Sequence, residues 1–438
     1  MTISRRSFLG SSAAAIITAG AASRNSVWGA NDRIAHAVVG FNGQGRSHIN
    51  DILKESDAEI VALCDVDSNV MKRGVDIIQK ATGKTPKTYH DIREMLADPS
   101  IDSISIATPN HWHSLMAIWG VQAGKDVYVE KPMAHSAYEG RQVVAASNKY
   151  DRIIQHGTQS RADAELIRDM KLLHSGFIGK VIHSRGVVYK NGNRNPIGHG
   201  KPGPVPDYLD WTLWQGPAKD KPFMINVDRE KPGLYVHYDW HWFWEYGNGE
   251  IGNQGVHQMD IACWAHNRGK PAKVTSTGGR FGWDDDGETP NTQATQFTYP
   301  DGSLLTFEVR NLGSFYEGGP EAGASTNSAF GETGYWIHRR GFFDYKNKPI
   351  EVTEPAPEDL GRFRRFFNAV RSRKKSDVPV TVEDAHLACL LCQLGNVAYR
   401  VGQTLFFDGE TETFVNSEEG DRMMKRDYRE GFEVPDLA

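Results

Sequence analysis

Apolar runs and helix-compatible segments alternate along the first third of the chain. The apolar runs predict strands near residues 35–40, 59–64, 102–107, 126–130 and 152–156. The segments between them predict helices near residues 45–55, 68–82, 90–97, 112–123 and 136–150. Alternation at this spacing is typical of a parallel sheet with helices on both faces, and such sheets bind ligands beyond the carboxyl ends of their strands. We therefore expect an α/β protein whose first folded domain spans residues 31–155.

The pattern changes after residue 155 and predicts a second domain, of α+β type, over residues 156–405. Residues 272–350 alternate in the manner of strands, and Tyr299-Pro300-Asp301-Gly302 predicts a hairpin turn between two of them. This alternation favours a mostly antiparallel open sheet. Helices are expected at residues 358–374 and 383–401, where they would pack back between the domains.

Three further segments lack this regularity. Residues 189–234 are rich in Gly, Pro and Asn and predict a long loop over the mouth of an active site. The Gly- and Ser-rich residues 315–335 predict a second loop. The C-terminal extension, residues 406–438, is charged from Asn416 onwards, so we expect it on the surface or against a neighbouring subunit.

The first 30 residues predict a processing segment rather than part of the fold. Arg5 and Arg6 form a twin-arginine pair, and a weakly apolar, Ala-rich run follows at residues 13–22. Residues 1–30 therefore resemble a twin-arginine export signal, although a chance arginine pair on a frayed tail is the alternative. We expect cleavage between Ala21 and Ala30 and a periplasmic or other extracytoplasmic location. Because this route exports folded proteins, any cofactor would be loaded before export, held tightly and recycled.

Composition narrows the class of protein. The chain has 438 residues, enough for two or three domains, and its net charge of −5 argues against a nucleic acid or a membrane surface as partner. Outside the N-terminal segment, no apolar run reaches the roughly 18 residues that a membrane span needs.

Cys389 and Cys392 form a single C-x-x-C pair within an apolar helical pattern, which favours small core residues over a zinc or redox site.

The stretch from residue 35 to residue 67 carries the clearest chemical signal. A glycine-rich turn at residues 40–46 joins a strand to a helix, and the next strand ends at Asp65, 20 residues after Gly45. Glycines allow close approach to a pyrophosphate, and the helix N-terminus presents N–H groups to it. An acid at the end of the second strand accepts hydrogen bonds from a ribose diol and repels a 2′-phosphate. The predicted NAD-binding residues of this stretch are Gly40, Asn42, Gly43, Gln44, Gly45, Arg46 and Asp65.

Two features of this turn leave alternatives open. Asn42 stands where the G-x-G-x-x-G pattern has its second glycine, so an ordinary strand-to-helix turn is the competing interpretation. Arg46 could soften the preference for NAD, so NADP stays possible.

Two more strand ends carry polar residues beside a proline. Thr108-Pro109-Asn110 follows one predicted strand, and Glu130-Lys131-Pro132 follows the next. Lys131 would face the position of a cofactor ring, where it is a candidate general acid or base, and the alternative is a surface lysine. His111 and His113 have the spacing of metal ligands but no neighbouring Cys or carboxylate, so we predict no metal.

The glycine turn, the Thr108-Pro109-Asn110 turn and above all Glu130-Lys131-Pro132 resemble the glucose–fructose oxidoreductase / inositol dehydrogenase (Gfo/Idh/MocA) family over residues 31 to about 400. The resemblance implies an N-terminal Rossmann-type parallel sheet and a C-terminal α+β domain, whose first strand would lie in residues 178–184. It implies that Lys131 contacts both substrate and nicotinamide, and that the exposed face of the second sheet forms a homodimer or homotetramer. The further cofactor-binding residues expected from it are Thr108, Pro109, Asn110, His113, Glu130, Lys131 and Gln159.

A helix predicted after Gly252 would place Asn253 and His257 one turn apart, so that both point into a cleft. The family's dehydrogenases carry an Asp at the first of these positions, and an amide cannot accept a proton as a carboxylate does. His257 can still act as an acid or base, with a satisfied core histidine as the alternative. The predicted catalytic residues are Lys131, His257 and Asn253, and Asp260 is expected to be structural.

Residues 235–246 are rich in aromatic side chains, which suggests carbohydrate stacking for one or two rings and core packing for the rest. His237, Asp239 and His241 would share one face of a strand and formally make a metal-ligand set, which we do not favour. The predicted substrate-binding residues are Lys131, Arg161, Trp242, Asn253 and His257.

We therefore expect an NAD(P)-dependent oxidoreductase that acts on a ring hydroxyl of a sugar, polyol or sugar derivative. A first alternative is a redox-neutral glycoside hydrolase that works by NAD-dependent oxidation and elimination. A second is a non-catalytic sugar-binding relative that kept the fold.

Overall fold

The computed structural model describes residues 33–190, 195–312 and 325–438. The predicted export signal, residues 1–30, lies outside the described residues. No helix in the described ranges combines the length and apolar character needed to cross a bilayer.

The first sheet has six strands, all parallel, in the order β3-β2-β1-β4-β5-β6. Its strands are β1 (Ile34–Val39), β2 (Ala58–Cys64), β3 (Lys87–Tyr89), β4 (Ser103–Ile106), β5 (Asp126–Val129) and β6 (Ile154–His156). Its helices are α1 (Gln44–Ile52), α2 (Ser68–Thr82), α3 (Ile92–Leu96), α4 (Asn110–Gln122) and α5 (Ala137–Tyr150). The strand order reverses between β1 and β4, which is where such sheets open a ligand crevice. The predicted parallel sheet is confirmed.

The third strand is the one that the hydrophobic pattern missed. β3 has only three residues, of which Lys87 and Thr88 are exposed. It forms the edge of the sheet, where it pairs only with β2. An exposed edge strand needs no apolar run, so the hydrophobic pattern does not predict it.

The second sheet has ten strands in the order β16-β15-β14-β13-β7-β12-β11-β10-β17-β18. The strands from here on are β7 (His183–Tyr189), β8 (Gly200–Pro202), β9 (Met224–Asn226), β10 (Lys273–Gly279), β11 (Thr292–Thr298), β12 (Leu304–Arg310), β13 (Ser325–Phe330), β14 (Gly334–Ile337), β15 (Gly341–Asp344), β16 (Pro349–Ile350), β17 (Leu405–Asp408) and β18 (Thr413–Phe414). Only β7 and β12 pair in parallel, so the prediction of a mostly antiparallel sheet is confirmed.

Two predictions about this sheet were wrong. The first strand begins at His183 rather than near residue 178, because Ile178 and Val181 are buried in a turn that packs against the helix at Ala164–His174 and against Trp336 and Phe342. The predicted loop at residues 315–335 gives way to β13 and β14 at its C-terminal end. Part of that predicted loop, residues 315–324, lies outside the described residues.

The remaining helices cover the second sheet and return to the first. They are α6 (Ala164–His174), α7 (Trp211–Gln215), α8 (Gly249–Asn253), α9 (Gly255–His266), α10 (Arg362–Ser372), α11 (Val382–Val401) and α12 (Glu418–Met423). α9 packs on β7, and α11 lies between α5 of the first domain and β10 of the second. α10 packs on the first sheet, where Phe363, Phe366 and Phe367 are buried with Ile34 and Val38. The prediction that the C-terminal helices pack between the domains is confirmed for α11, whereas α10 packs on the first sheet.

The C-terminal extension is not a surface tail, which corrects the prediction made from its charges. Phe432 and Val434 are buried, and the Phe432 ring meets the edge of Trp112 at 5.5 Å between centroids. Tyr138 N donates a hydrogen bond to Met424 O at 3.0 Å. A few apolar residues spaced among charges are enough to attach this segment to the first domain.

Residues 195–247, called the covering segment below, run over the carboxyl ends of the first sheet. They contain the β8–β9 hairpin and α7, and they share a core of aromatic residues that includes Trp211, Trp214 and Tyr246. The segment reaches the end of β2, where Ser68 N donates to Tyr208 O at 2.9 Å and Asp210 N donates to Val66 O at 3.0 Å. It therefore closes one side of the crevice.

Candidate active site

A cleft of about 450 Å³ lies between the carboxyl ends of the first sheet, the covering segment and the α8–α9 pair. Most of the predicted site residues line it, namely Gly40, Asn42, Gly43, Gln44, Asp65, Thr108, Pro109, Asn110, His113, Glu130, Lys131, Gln159, Asn253 and His257. Gly45, Arg46, Arg161 and Trp242 do not. The volume is within the range of about 300–1,000 Å³ typical of small-molecule sites.

The glycine turn has the geometry that a pyrophosphate requires. Gly40 has φ +72°, and a Cβ there would lie 2.8 Å from Thr108 Cγ2. A Cβ on Gly45 would lie 2.1 Å from the carbonyl oxygen of Gly40, so only glycine lets α1 begin this close to the turn. The first turn of α1 has no side-chain cap, so its positive dipole end can receive an anion, while Arg46 N already donates to Gly43 O at 3.0 Å. These features fit a dinucleotide, although Gly45 acts through packing rather than by lining the cleft.

Asp65 lies at the end of β2, where a ribose acceptor is expected. Its Oδ2 accepts from Phe41 N and its Oδ1 accepts from Asp67 N, both at 3.0 Å. Burial raises the pKa of this carboxyl to about 6. Each carboxylate oxygen can accept a further hydrogen bond, so Asp65 both holds the glycine turn and faces the cleft.

Two of the predicted cofactor residues differ from expectation in detail. Arg46 lies on the exposed side of α1 and does not line the cleft, so the structure gives no support to its proposed effect on cofactor preference. Asn42 is exposed, and its Oδ1 accepts from Arg73 Nη2 at 2.8 Å, which holds α2 against the turn. This position tolerates a side chain because it points away from the close contact between Gly40 and Gly45.

Glu130 connects the first sheet to α1 rather than serving the cofactor alone. Its Oε1 accepts from Gln44 Nε2 and Gln159 Nε2, both at 3.2 Å, and lies 3.0 Å from His48 Nε2. Burial would raise the pKa of this carboxyl, but its hydrogen bond to His48 and the charges of Lys131 and the second-domain Arg362 hold the pKa well below its usual range. An ionised Glu130 therefore fixes two residues that line the cleft.

His113 was predicted to bind the cofactor, but both of its ring nitrogens are engaged by the protein. Nδ1 lies 2.7 Å from Pro132 O, and Nε2 lies 2.7 Å from Thr108 O. The ring thereby ties together the chain segments that follow β4 and β5. The ring therefore positions these two strand ends, and because it also lines the cleft, its contact with the cofactor stays a prediction.

Lys131 extends into the cleft toward the second domain. Its Nζ donates to the carbonyl oxygen of Asn253 at 3.0 Å and to Asn253 Oδ1 at 3.3 Å. Asn253 Nδ2 in turn donates to Tyr238 OH at 3.3 Å and lies 3.5 Å from Glu250 Oε2. The amide of Asn253 therefore joins the lysine of the first domain to a phenol of the covering segment.

The single helix predicted for Asn253 and His257 is interrupted. α8 ends at Asn253 and α9 begins at Gly255, with Gln254 between them in the right-handed helical region (φ −80°, ψ −32°). Because the backbone stays near helical geometry, both side chains still line the cleft.

His257 is neutral at physiological pH. Burial and, after it, the positive charge of Lys131 lower the pKa of His257 to about 3. A neutral imidazole can accept a proton from a hydroxyl or donate an N–H hydrogen bond to it, so the residue suits a substrate that carries hydroxyl groups.

Arg161, a predicted substrate-binding residue, does not line the cleft. Its Nε and Nη2 each donate to the carboxylate of Asp260 at 2.9 Å, and both side chains are buried. Its guanidinium also lies 4.2 Å from the centroid of the Trp264 ring. The pair braces α9, which agrees with the structural role expected for Asp260.

Trp242 is also absent from the cleft, because residues Asp239–Trp242 form a 3-10 helix rather than a strand. The turn of this helix directs Trp242 into the aromatic core, where it is 3% exposed. From the same stretch, Tyr238, Trp240 and His241 line the cleft instead.

The 3-10 helix also separates His237, Asp239 and His241, which were considered as a metal-ligand set. His237 Nε2 lies 3.0 Å from Asp67 Oδ2, whereas His241 Nδ1 lies 2.6 Å from Tyr238 O. Asp239 pairs with Lys231. Within the described ranges, no three His, Cys, Asp or Glu side chains come together as a metal site.

Several residues line the cleft that the sequence did not predict as cofactor- or substrate-binding. They are Gln254 between the two helices, Leu213 and Trp214 of α7, His90 and Asp91 after β3, and His237 and Tyr238 of the covering segment. The aromatic run was the only signal for Tyr238. The residues of α7 and those after β3 reach the cleft through long-range packing, which no local sequence motif predicts.

Comparison with known proteins agrees with this geometry. A family model described as "Oxidoreductase family, NAD-binding Rossmann fold" matches residues 34–158, and one described as "Oxidoreductase family, C-terminal alpha/beta domain" matches residues 171–434. The fold and the cleft thus define an NAD-binding α/β oxidoreductase. The chain belongs to the Gfo/Idh/MocA family.

Curated relatives match part of this chain at low identity. A protein named "Glycosyl hydrolase family 109 protein" from Stenotrophomonas maltophilia is 26% identical over 207 residues, which is 44% of this chain and 45% of that protein. A protein of the same name from Shewanella baltica (strain OS155) is 29% identical over 156 residues, 35% of this chain and 34% of that protein. The chain therefore matches less than half the length of these curated relatives.

Two crystal structures share the fold across most of the chain. The WlbA dehydrogenase from Bordetella pertussis in complex with NADH and UDP-GlcNAcA has a TM-score of 0.62 and 21% identity, covering 86% of this chain and 98% of that one. GenD2 from gentamicin A biosynthesis in complex with NAD has a TM-score of 0.61 and 18% identity, covering 86% and 97%.

Proposed function

We propose that this protein is an NAD-dependent oxidoreductase that acts on a CH–OH group of a sugar, polyol or sugar derivative and recycles a retained cofactor. The observation that carries the proposal is the arrangement of Lys131, Asn253 and His257 at the inner end of a cleft whose other end is a dinucleotide turn. No nucleic acid or membrane partner is needed for this chemistry.

The chain's own residues supply binding and proton transfer. The N-terminus of α1 and the glycine turn would hold the pyrophosphate, and Asp65 would accept from the ribose hydroxyls. When bound, NAD supplies a hydride acceptor or donor. Lys131 and the neutral His257 face the same part of the cleft, where they would orient a substrate hydroxyl and take up or return its proton.

The covering segment supports the idea of a retained cofactor. It meets the end of β2 through the backbone hydrogen bonds from Ser68 N and Asp210 N and through the contact between His237 and Asp67. On the other side, Trp112 Nε1 of α4 donates to Trp214 O at 3.1 Å. A dinucleotide lying between these two attachments would leave slowly. Slow release suits an exported enzyme that has no cofactor pool to draw on, and export by the twin-arginine route is part of the proposal.

Mass spectrometry of the nucleotide released from purified protein, followed by a panel of sugars and polyols, tests this function. We expect about one NAD per chain, and a change in absorbance of the bound nicotinamide with at least one sugar or polyol. Protein that is purified empty and turns over only with added NAD would reject cofactor recycling. Protein that binds NAD but never exchanges a hydride with any sugar would reject the oxidoreductase assignment.

A second candidate function is a redox-neutral glycoside hydrolase. It is favoured by Asn253, which lacks the proton-accepting carboxylate of the family's dehydrogenases, and by the name of the two glycosyl hydrolase relatives described above. In this reaction a ring hydroxyl is oxidised, the neighbouring acidified C–H is lost as a proton, the glycosidic bond is eliminated, and the hydride is returned after water adds. Chromogenic glycosides separate the two functions, because release of the chromophore without net reduction of nicotinamide occurs only in the hydrolase.

A further inference from the structure

One aromatic side chain of the covering segment differs from the others. Tyr235, Trp240, Trp242 and Tyr246 are 8% exposed or less and form the core of that segment. Tyr238 is 45% exposed and lines the cleft together with Lys131, Asn253 and His257. Packing therefore does not account for a large ring at this position.

The ring of Tyr238 is held in place from its own segment. His241 Nδ1 lies 2.6 Å from the carbonyl oxygen of Tyr238, and the two rings are 4.6 Å apart between centroids. The phenol end, by contrast, extends to the end of α8, where its oxygen lies 3.3 Å from Asn253 Nδ2.

The Asn253 amide places this phenol beside the lysine. Its Oδ1 accepts from Lys131 Nζ while its Nδ2 donates to Tyr238 OH, each at 3.3 Å. The oxygen and nitrogen of one amide are only about 2.3 Å apart. Lys131 Nζ and the Tyr238 oxygen therefore flank one small group and lie within the reach of a single sugar ring.

Proton chemistry explains why a phenol is useful here. An amide at position 253 can orient its neighbours but cannot take up or release a proton near neutral pH. A phenol both accepts and donates hydrogen bonds, so accepting from Asn253 leaves its O–H chemistry intact. General acids and bases of this kind typically contribute about 10²- to 10⁴-fold to a rate.

We propose that Tyr238 is a catalytic residue, which contacts the sugar and exchanges a proton with one of its hydroxyl or glycosidic oxygens. Asn253 is the positioning residue that sets Tyr238 beside Lys131. In reduction, or when a glycosidic oxygen leaves, the phenol of Tyr238 donates its proton to the sugar oxygen and becomes a phenolate. In oxidation the phenolate takes the proton of the sugar hydroxyl, while the C–H hydrogen would pass as a hydride to bound NAD. The inference rests on the proposed function, because it assumes that a sugar occupies this end of the cleft.

The test is the Tyr238→Phe variant of the protein purified with its nicotinamide, assayed with a sugar that wild-type protein oxidises or cleaves. We expect kcat to fall about 100-fold while KM changes little. We also expect the alkaline limb of the pH–rate profile to be lost or shifted, with the content of bound nicotinamide unchanged. Tyr235→Phe is the matched control, because it removes a phenol oxygen from the buried core of the same segment and should leave kcat, KM and the pH profile as in wild type.

Three outcomes overturn the inference, and they differ from one another. A Tyr238→Phe variant with wild-type kcat and pH profile removes Tyr238 from catalysis while the proposed function stands. A variant whose KM rises while kcat is kept shows that Tyr238 only binds substrate. Wild-type protein that acts on no sugar at all overturns the proposed function and, with it, this role for Tyr238.

Discussion

The contact between Gly45 and Gly40 leaves the least space for a side chain in the glycine turn. The Gly45→Ala variant tests whether NAD binding depends on this contact. The added Cβ would lie 2.1 Å from the carbonyl oxygen of Gly40 and 3.0 Å from Phe41 Cβ. Normal contact distances are about 3.5 Å, so α1 and the turn must separate by roughly 1 Å. Overpacking of this kind costs about 1–3 kcal/mol.

We expect this cost to fall mainly on cofactor binding. The displacement moves the first N–H groups of α1 away from the pyrophosphate, so the dissociation constant for NAD should rise about 10- to 100-fold, which corresponds to about 1.4–2.8 kcal/mol. Isothermal titration of cofactor-depleted protein gives the dissociation constant, and thermal unfolding gives the loss of stability.

A second glycine-to-alanine variant serves as a matched control. It shows whether a loss of NAD affinity comes from the close contact at Gly45 or from replacing any glycine by alanine. Gly361, which precedes α10, has φ −58° and ψ 154°, and a Cβ there would meet no atom within 4 Å. Gly361→Ala should therefore keep wild-type NAD affinity. If Gly45→Ala also bound NAD as tightly as wild type, the close approach of α1 to the turn would not be what holds the dinucleotide.

Four other predictions follow. Because the pKa of Asp65 is about 6 before cofactor binds, and its ionised form is the better acceptor, the dissociation constant for NAD should fall as pH rises from 5 to 7, and Asp65→Asn should flatten this dependence in fluorescence titrations. Asp260→Ala should destabilise the fold by about 3 kcal/mol in urea unfolding, because it removes the buried, two-point partner of the Arg161 guanidinium and leaves it only the partly exposed Asp384 at 3.7 Å, and a loss below 1 kcal/mol would contradict a bracing role. Replacing Arg5 and Arg6 by Lys should retain the protein in the cytoplasmic fraction, and unchanged export would reject the twin-arginine signal. Light scattering should give the mass of a homodimer or homotetramer, and a monomer at micromolar concentration would reject assembly through the second sheet.

The sequence predicted the first domain well because its signals are local. Apolar strands, glycine positions and the residues after each strand all follow from short-range patterns, so the parallel sheet, the turn at Gly40 and the position of Lys131 could be placed. β3 could not be placed in this way, because it is short, exposed and held only by its pairing with β2.

The errors in the site arose where local patterns do not determine the direction of a side chain. Spacing alone could not show that the residues around Trp242 form a 3-10 helix, which turns Trp242 inward and leaves Tyr238 at the cleft. Likewise, Arg161 lies 99 residues from its partner Asp260 in the chain, so the ion pair that removes it from the substrate site has no sequence signature.

The contact between Lys131 and Asn253 could be predicted from the sequence only in part. Both the lysine and Asn253 were predicted site residues, but the hydrogen bonds that join them cross between domains. The sequence could name the two residues and could not show that an amide, rather than a carboxylate, would connect the lysine to a phenol.

A crystal structure grown with excess NAD tests the central claim most directly. The account predicts a dinucleotide whose pyrophosphate contacts residues 40–45, whose adenosine ribose contacts Asp65, and whose nicotinamide ring lies beside Lys131. A cleft closed by the protein's own side chains, or a dinucleotide bound anywhere else, would contradict it.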